Sequence, residues 1–458
     1  MCLSAKFSAR RKGILLGLLF LGALTGCTQI VPKEQEPTLQ TETSAKTIVP
    51  NKTLVPTETV EALQKTPSLI VSAKPLPHDF AIQAFCPAVD HEVSEFSDLP
   101  GTLVFASDYG LTRENILTPK SEKDYTLSFW NPASDEIISY GQIGYIYAES
   151  PDKEKIATTQ AKTLDISSDL VVLNNQAEEY GRIEFPEDWT FFTWLNNEQL
   201  LFRQYRSTKD ISKEEYDLVV IDLSTQEQQI FSSDFPNIYL QEVYFTWGSP
   251  VSFHSNSNIV VYHQIDYEIN QIISVFWDME KNEPITKIIG GYWIKWSPDG
   301  SKILLTSDVE EDYERFNEIY LFDNATNELT QVSFFKEHYE ASFIELPVWS
   351  PDNRFVAFWL RIDGFDEPYK LAVLDTEMLT VDIFCHEIDP WPFRFGSTEW
   401  LLFQEIQVNS TSPIWSPDSK YLLVEDSKKG ESKTLLVDIQ NNTVVKIADQ
   451  ARPVAWLK

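Results

Sequence analysis

Trp296-Ser297-Pro298-Asp299-Gly300 leads into Ser301-Lys302-Ile303-Leu304-Leu305, and the phrase returns twice more. Trp349-Ser350-Pro351-Asp352-Asn353 precedes Arg354-Phe355-Val356-Ala357-Phe358, and Trp415-Ser416-Pro417-Asp418-Ser419 precedes Lys420-Tyr421-Leu422-Leu423-Val424. Apolar residues run into each Trp as a strand. Proline then fixes φ and ends the ladder, and Asp followed by Gly, Asn or Ser makes a tight turn. The β-rich run that follows completes a hairpin.

Each unit continues to a third strand ending in Asp: Ile319-Tyr320-Leu321-Phe322-Asp323, Leu371-Ala372-Val373-Leu374-Asp375 and Leu435-Leu436-Val437-Asp438. The Trp-to-Asp offsets are 27, 26 and 23 residues. A polar turn such as Asn324-Ala325-Thr326-Asn327 leads to a fourth strand, Leu329-Thr330-Gln331-Val332.

Weaker copies lie upstream. Trp194 precedes Gln199-Leu200-Leu201-Phe202, with Val219-Val220-Ile221-Asp222 beyond; Trp247 precedes Ile259-Val260-Val261-Tyr262 and Val275-Phe276-Trp277-Asp278. Ser150-Pro151-Asp152 keeps the turn but has Glu149 where Trp is expected. The chain closes on Pro453-Val454-Ala455-Trp456, a first strand, and the body opens at Gly101-Thr102-Leu103-Val104-Phe105, a second strand. Together the ends make one unit. Landmarks at 149, 194, 247, 296, 349, 415 and 456 give seven units. Four-stranded units at this spacing predict an all-β, seven-bladed β-propeller, closed by pairing the C-terminal strand with the N-terminal strands of one blade.

These Trp-Ser-Pro-Asp-Gly units resemble the WD-like repeats of TolB-type propellers, also found in relatives of prolyl oligopeptidase. The resemblance covers about residues 100 to 458 and is strongest after 290. It implies a propeller used as a binding platform. Trp296, Pro298, Asp299, Trp349, Pro351, Asp352, Trp415, Pro417, Asp418 and Trp456 are read as repeat-defining structural residues: the acids recur as turn formers and the indoles as packing between blades.

The N-terminus carries Lys6, Arg10, Arg11 and Lys12, then a short apolar run from Ile14 to Leu21, the layout of a secretory signal. It ends in Leu24-Thr25-Gly26-Cys27, which resembles the bacterial lipobox and implies cleavage before Cys27 and lipidation of its thiol. The expected organisation is therefore a lipoprotein signal peptide over 1–26, a disordered Thr/Pro-rich tether over 27–80, a lead-in segment over 81–100 and the propeller over 101–458. Once residues 1–26 are lost, Cys86 and Cys385 are the remaining cysteines besides Cys27. An oxidising exterior allows them to pair, pinning the lead-in to the propeller rim, although spacing alone does not give the geometry.

Composition narrows the function. The 458 residues carry 37 Lys+Arg against 69 Asp+Glu, a net charge of −32. Cleavage before Cys27 leaves 33 basic side chains and −36. Phosphate backbones need cationic surfaces, so nucleic acid is not expected as a partner. No Gly-x-Ser-x-Gly or His-Glu-x-x-His occurs. The run from Asp308 to Glu314 and the stretch Asp363-Gly364-Phe365-Asp366-Glu367 have oxygen donors for Ca²⁺, but neither matches an EF-hand, and both read as solvated loops. No catalytic residue, cofactor or metal site is assigned. The sequence thus predicts a monomeric extracytoplasmic lipoprotein, anchored in the cell membrane or outer membrane, whose propeller binds a protein or polysaccharide partner without catalysis. The alternative is a propeller-type polysaccharide-active enzyme, a glycosidase or lyase built from scattered loop residues. A third reading is a protein-assembly partner, as TolB resemblance implies, although the separate N-terminal domain of that family is replaced here by a tether.

Overall fold

A serine hydroxyl builds each repeated turn. Ser297 Oγ donates to Asp299 Oδ1 (2.7 Å) and accepts the Lys302 N–H (2.9 Å). Ser350 and Ser416 make the same pair of bonds with Asp352 and Phe355, and with Asp418 and Tyr421. Two strands are thereby folded back at a fixed register, and the hairpins repeat around a ring.

The computed structural model describes residues 74–75, 80–87, 89–90, 98–107, 125–160, 169–184, 189–206, 215–232, 251–254, 257–266, 271–278, 280–281, 283–289, 293–308, 317–363, 367–388, 412–426, 433–449 and 451–458. Three short strands come first: β1 (Lys74–Pro75), β2 (Ala81–Phe85) and β3 (Val89–Asp90). Blade 1 then takes β4 (Thr102–Ser107), β5 (Tyr125–Asn131) and the outer half of β6 (Glu136–Glu149). The second half of β6 opens blade 2, followed by β7 (Lys155–Gln160), β8 (Asp169–Asn174) and β9 (Glu179–Glu184).

Blade 3 is β10 (Trp189–Trp194), β11 (Gln199–Arg206), β12 (Glu215–Asp222) and β13 (Gln228–Ser232). Blade 4 is β14 (Val251–Ser252), β15 (Ile259–Asp266), β16 (Gln271–Asp278) and β17 (Glu283–Ile289). Blade 5 is β18 (Lys295–Trp296), β19 (Lys302–Asp308), β20 (Asn317–Asp323) and β21 (Glu328–Gln331). Blade 6 is β22 (Ser342–Trp349), β23 (Phe355–Ile362), β24 (Tyr369–Asp375) and β25 (Thr380–Ile388). Blade 7 is β26 (Ile414–Trp415), β27 (Tyr421–Asp426), β28 (Lys433–Asp438) and β29 (Thr443–Asp449). The last strand, β30 (Ala451–Leu457), returns to blade 1 and pairs antiparallel with β4, Trp456 opposite Leu103. The protein is an all-β propeller of seven four-stranded blades.

The third strands also share a device. In every blade the strand ends on Asn131, Asn174, Asp222, Asp278, Asp323, Asp375 or Asp438, whose Oδ1 accepts a backbone N–H two residues on. This bond tightens the turn into the fourth strand. Asn does the work of Asp in blades 1 and 2.

The core lies between blades rather than inside one sheet. Trp359, Tyr369 and Leu371 of blade 6 pack with Trp415, Leu422 and Val437 of blade 7. Leu304, Ile319 and Leu321 meet Val356, Phe358 and Leu374 between blades 5 and 6. Comparable clusters join blades 1 and 2, 2 and 3, 4 and 5, and 7 and 1. Each sheet is apolar on both faces because each is sandwiched by its neighbours.

The N-terminal strands form a strap. β1 lies parallel to β21, β2 to β25 and β3 to β29, adding an outermost strand to blades 5, 6 and 7 in turn. Lys74–Pro75 falls within the stretch read as tether, and β2 and β3 within the lead-in. Just past β2, Cys86 is disulfide-bonded to Cys385 of β25, with Cα atoms 4.7 Å apart.

Candidate functional site

Alternating strand direction puts the first and third turns of a blade at the same end of the ring. At this end the repeated turn acids are engaged in structure. Asp299 N–H donates to Asn353 Oδ1 of blade 6 (3.0 Å), and Asp352 N–H to Ser419 Oγ of blade 7 (3.1 Å). Asp152 N–H donates likewise to Asn197 Oδ1 of blade 3 (3.1 Å). The first turns of blades 2 and 3, 5 and 6, and 6 and 7 are thus clipped to one another. Burial raises the Asp299 carboxyl, but hydrogen bonds from Ser301 N–H and the Ser297 and Ser301 hydroxyls outweigh it, so the group sits below the ordinary carboxylate range. Asp418 behaves the same way, with Ser416 and Lys420 as donors.

The tryptophans are clips too. Trp349 Nε1 donates to Lys295 O of blade 5 (3.1 Å), and Trp415 Nε1 to Val348 O of blade 6 (3.2 Å). Trp456 Nε1 donates to Pro100 O, on the segment entering blade 1 (2.6 Å). Trp296 instead meets His254 of blade 4 in a tilted ring contact, centroids 5.7 Å apart, and His254 Nε2 donates to Pro298 O (3.1 Å). Gly300, at φ +73°, gives His254 its room: an added Cβ would collide with the imidazole.

Ionisable groups of another kind sit toward the opposite end. On β22, the innermost strand of blade 6, Glu345 is 4% exposed and accepts a hydrogen bond from Tyr369 Oη. Its Oε2 has no hydrogen-bond partner. Burial pushes the Glu345 carboxyl up to about 7, against the lowering effects of Tyr369 and of Arg361. The Arg361 guanidinium lies over the rings of Phe343 (4.7 Å) and Tyr369 (4.9 Å). Leu346, next in the chain, has φ 52° in a β-bulge before Pro347, a strained conformation for leucine. Glu318 of blade 5 is likewise raised by burial, although Ser333 and the Lys336 N–H hold it. Arg452 pairs with Glu425 across blades 1 and 7 at 2.8 Å. Sequence reading missed all of these, because a lone Glu or Arg in an apolar strand forms no motif.

Other sequence-derived sites are placed as follows. Cys27 lies outside the described residues, as do most of the acidic run 308–314 and residues 364–366. Among the described residues no three His, Cys, Asp or Glu side chains converge as a metal site would. No described helix is long and apolar enough to cross a membrane.

No protein family matches the chain, and no characterised protein matches it in sequence. Solved structures resemble it in fold. TolB from Acinetobacter baumannii is 12% identical with a TM-score of 0.39, over 72% of this chain and 79% of its own. The β-propeller domain of the trilobed protease from Pyrococcus furiosus is 13% identical with a TM-score of 0.47, over 80% of this chain and 98% of its own. Oligogalacturonate lyase from Vibrio parahaemolyticus is 11% identical with a TM-score of 0.43, over 72% of this chain and 85% of its own. These likenesses concern the propeller architecture alone.

Proposed function

We propose that this chain is an extracytoplasmic lipoprotein, held in a bacterial membrane through Cys27, whose propeller is a binding platform for a protein or polysaccharide partner. The observation that carries the platform reading is the commitment of the repeated acids. Asp299, Asp352 and Asp418 all hold their own turns, so the most conspicuous carboxylates of the sequence are structural groups. The lipobox Leu24-Thr25-Gly26-Cys27 supports the anchor.

The test is made in cells. Labelling with a clickable fatty acid should mark the wild-type chain and spare Cys27→Ala, and cross-linking should capture a partner with the anchored form. Absence of label on the wild type overturns the anchor, and absence of any captured partner overturns the platform.

A second reading, a polysaccharide-active enzyme, draws on Glu345, a carboxyl near neutrality beside a guanidinium and a phenol. General acid catalysis needs a proton donor of that strength. Turnover of acidic or neutral oligosaccharides by the wild type and its loss in Glu345→Gln would favour this reading over the platform.

A further inference from the structure

Outer strands of propeller blades expose a row of unpaired backbone groups, and proteins normally blunt such edges with charge, proline or a covering segment. This chain uses each device. The strap covers β21, β25 and β29. Among the uncovered edges, β9 carries Glu179, Arg182 and Glu184, and β17 carries Glu283, Pro284 and Lys287. The outer half of β6 begins with Glu136 and is interrupted by Gly141. Among the described residues, one edge carries no charge, proline or covering segment, and its only irregularity is a register shift where it pairs with Leu218 and Val219 of β12. β13 reads Gln228-Gln229-Ile230-Phe231-Ser232, with no charge, proline or glycine, and it ends its sheet. Gln228 and Gln229 are exposed, and Ile230 is 59% exposed.

The fold itself shows what an outer edge accepts. Residues 81–85 lie parallel to residues 380–384 in continuous one-to-one register, so an extended segment entering from the turn end fits the outermost strand of a blade. At blade 3 that entrance is acidic: Asp222 closes the preceding strand and Glu227 immediately precedes β13. The chain as a whole carries −32, so a like-charged partner, a second copy included, is repelled on approach.

We infer that β13 of blade 3 is a docking edge for an extended, lysine- or arginine-bearing polypeptide segment of another protein, added as a fifth, parallel strand in the way this chain's own strap is added to blade 6. Main-chain hydrogen bonds to β13 supply the affinity, Ile230 meets an apolar side chain of the incoming strand, and Asp222 and Glu227 select basic residues at its N-terminal end. The inference deepens the platform reading by naming the surface and the partner chemistry.

The test uses the purified full chain in detergent and a short fluorescein-labelled peptide of alternating lysine and valine. Fluorescence anisotropy should show saturable binding that weakens roughly tenfold or more on N-methylation of alternate peptide bonds, which removes main-chain donors but keeps the charge. Ile230→Lys should weaken binding by a similar factor, Ile230→Val should retain it, and equal melting temperatures for the three chains establish that all are folded. Hydrogen exchange should slow at residues 228–232 when the peptide is bound. Equal binding of the N-methylated peptide, no binding at all, or protection confined to other blades overturns the inference. So does disulfide cross-linking of Ile230→Cys chains into dimers without peptide binding, which would assign the edge to a second copy. Because the assay needs neither anchor nor cell, its failure leaves the in-cell test of the platform standing.

Discussion

Glu149 Oε1 accepts the backbone N–H of Trp456 at 2.6 Å, across 307 residues of chain. Its other oxygen pairs with Lys153 Nζ at 3.0 Å, and Lys153 Nζ reaches on to Trp415 O of blade 7 at 2.6 Å. The apparent defect in the repeat, Glu in place of Trp, is therefore a fastening at the seam. Blade 1 has no first turn of its own, because the chain ends on β30 and enters on β4. Where blades 6 and 7 send an indole N–H to the preceding blade, blade 2 offers an acceptor instead.

Glu149→Ala should lower stability by about 1–3 kcal/mol, the cost of leaving a buried N–H and its ionic partner unmatched. Glu149→Trp, which restores the repeat, should not recover that loss, since indole offers no acceptor to Trp456. Urea midpoints of the two variants check this; full stability in either one contradicts the fastening.

Gly300→Ala should cost on the order of 1–3 kcal/mol, from the left-handed backbone and the collision with His254 together. Pairing it with His254→Ala separates the two. The double variant should recover the collision part and keep about 1 kcal/mol of backbone cost. Additive losses in a double-mutant cycle would mean that His254 does not press on this turn.

His263 lies fully buried on β15 with neither ring nitrogen hydrogen-bonded, and burial lowers it to about 4 from 6.5. A depressed histidine resists protonation in the fold more than in the unfolded chain. Its stabilising effect is thus complete above pH 6.5 and is lost as pH falls toward 4, by on the order of 3 kcal/mol. His263→Phe should flatten that acid limb in a series of melts from pH 7 to 4.

Glu345 works in the opposite sense. Its folded value of about 7 exceeds the ordinary 4.5, so its contribution is complete below pH 4.5 and is lost as pH rises through 7. Glu345→Gln should therefore gain on the wild type by on the order of 3 kcal/mol between those values. Unchanged pH profiles in the variant would show that the carboxyl does not titrate in this range.

Cys86→Ser should free the strap. The disulfide spans 299 residues, and cross-links closing long loops typically contribute about 2–5 kcal/mol. Limited proteolysis should move into residues 74–90 in the variant and in the reduced wild type while the blades stay intact. Two free thiols in the unreduced, unfolded mature chain would rule out the bond.

The sequence by itself determined the architecture. Trp296, Trp349 and Trp415, each before Ser-Pro-Asp, define hairpins by local rules: proline ends a ladder, Asx residues close turns, and alternating apolar runs make strands. Such rules act over a few residues and are readable in order, and the split unit at Gly101 and Trp456 gave the ring its closure. The tertiary structure decided everything that depends on which distant residues meet. It turned Glu149 from an exception into a seam fastening and made the strands at 74–75, 81–85 and 89–90 a strap rather than the end of a tether and a plain lead-in. It also buried Glu345 between Tyr369 and Arg361 and left β13 bare while covering β25. Burial, dielectric and edge exposure come from neighbours hundreds of residues away, and no local pattern encodes them.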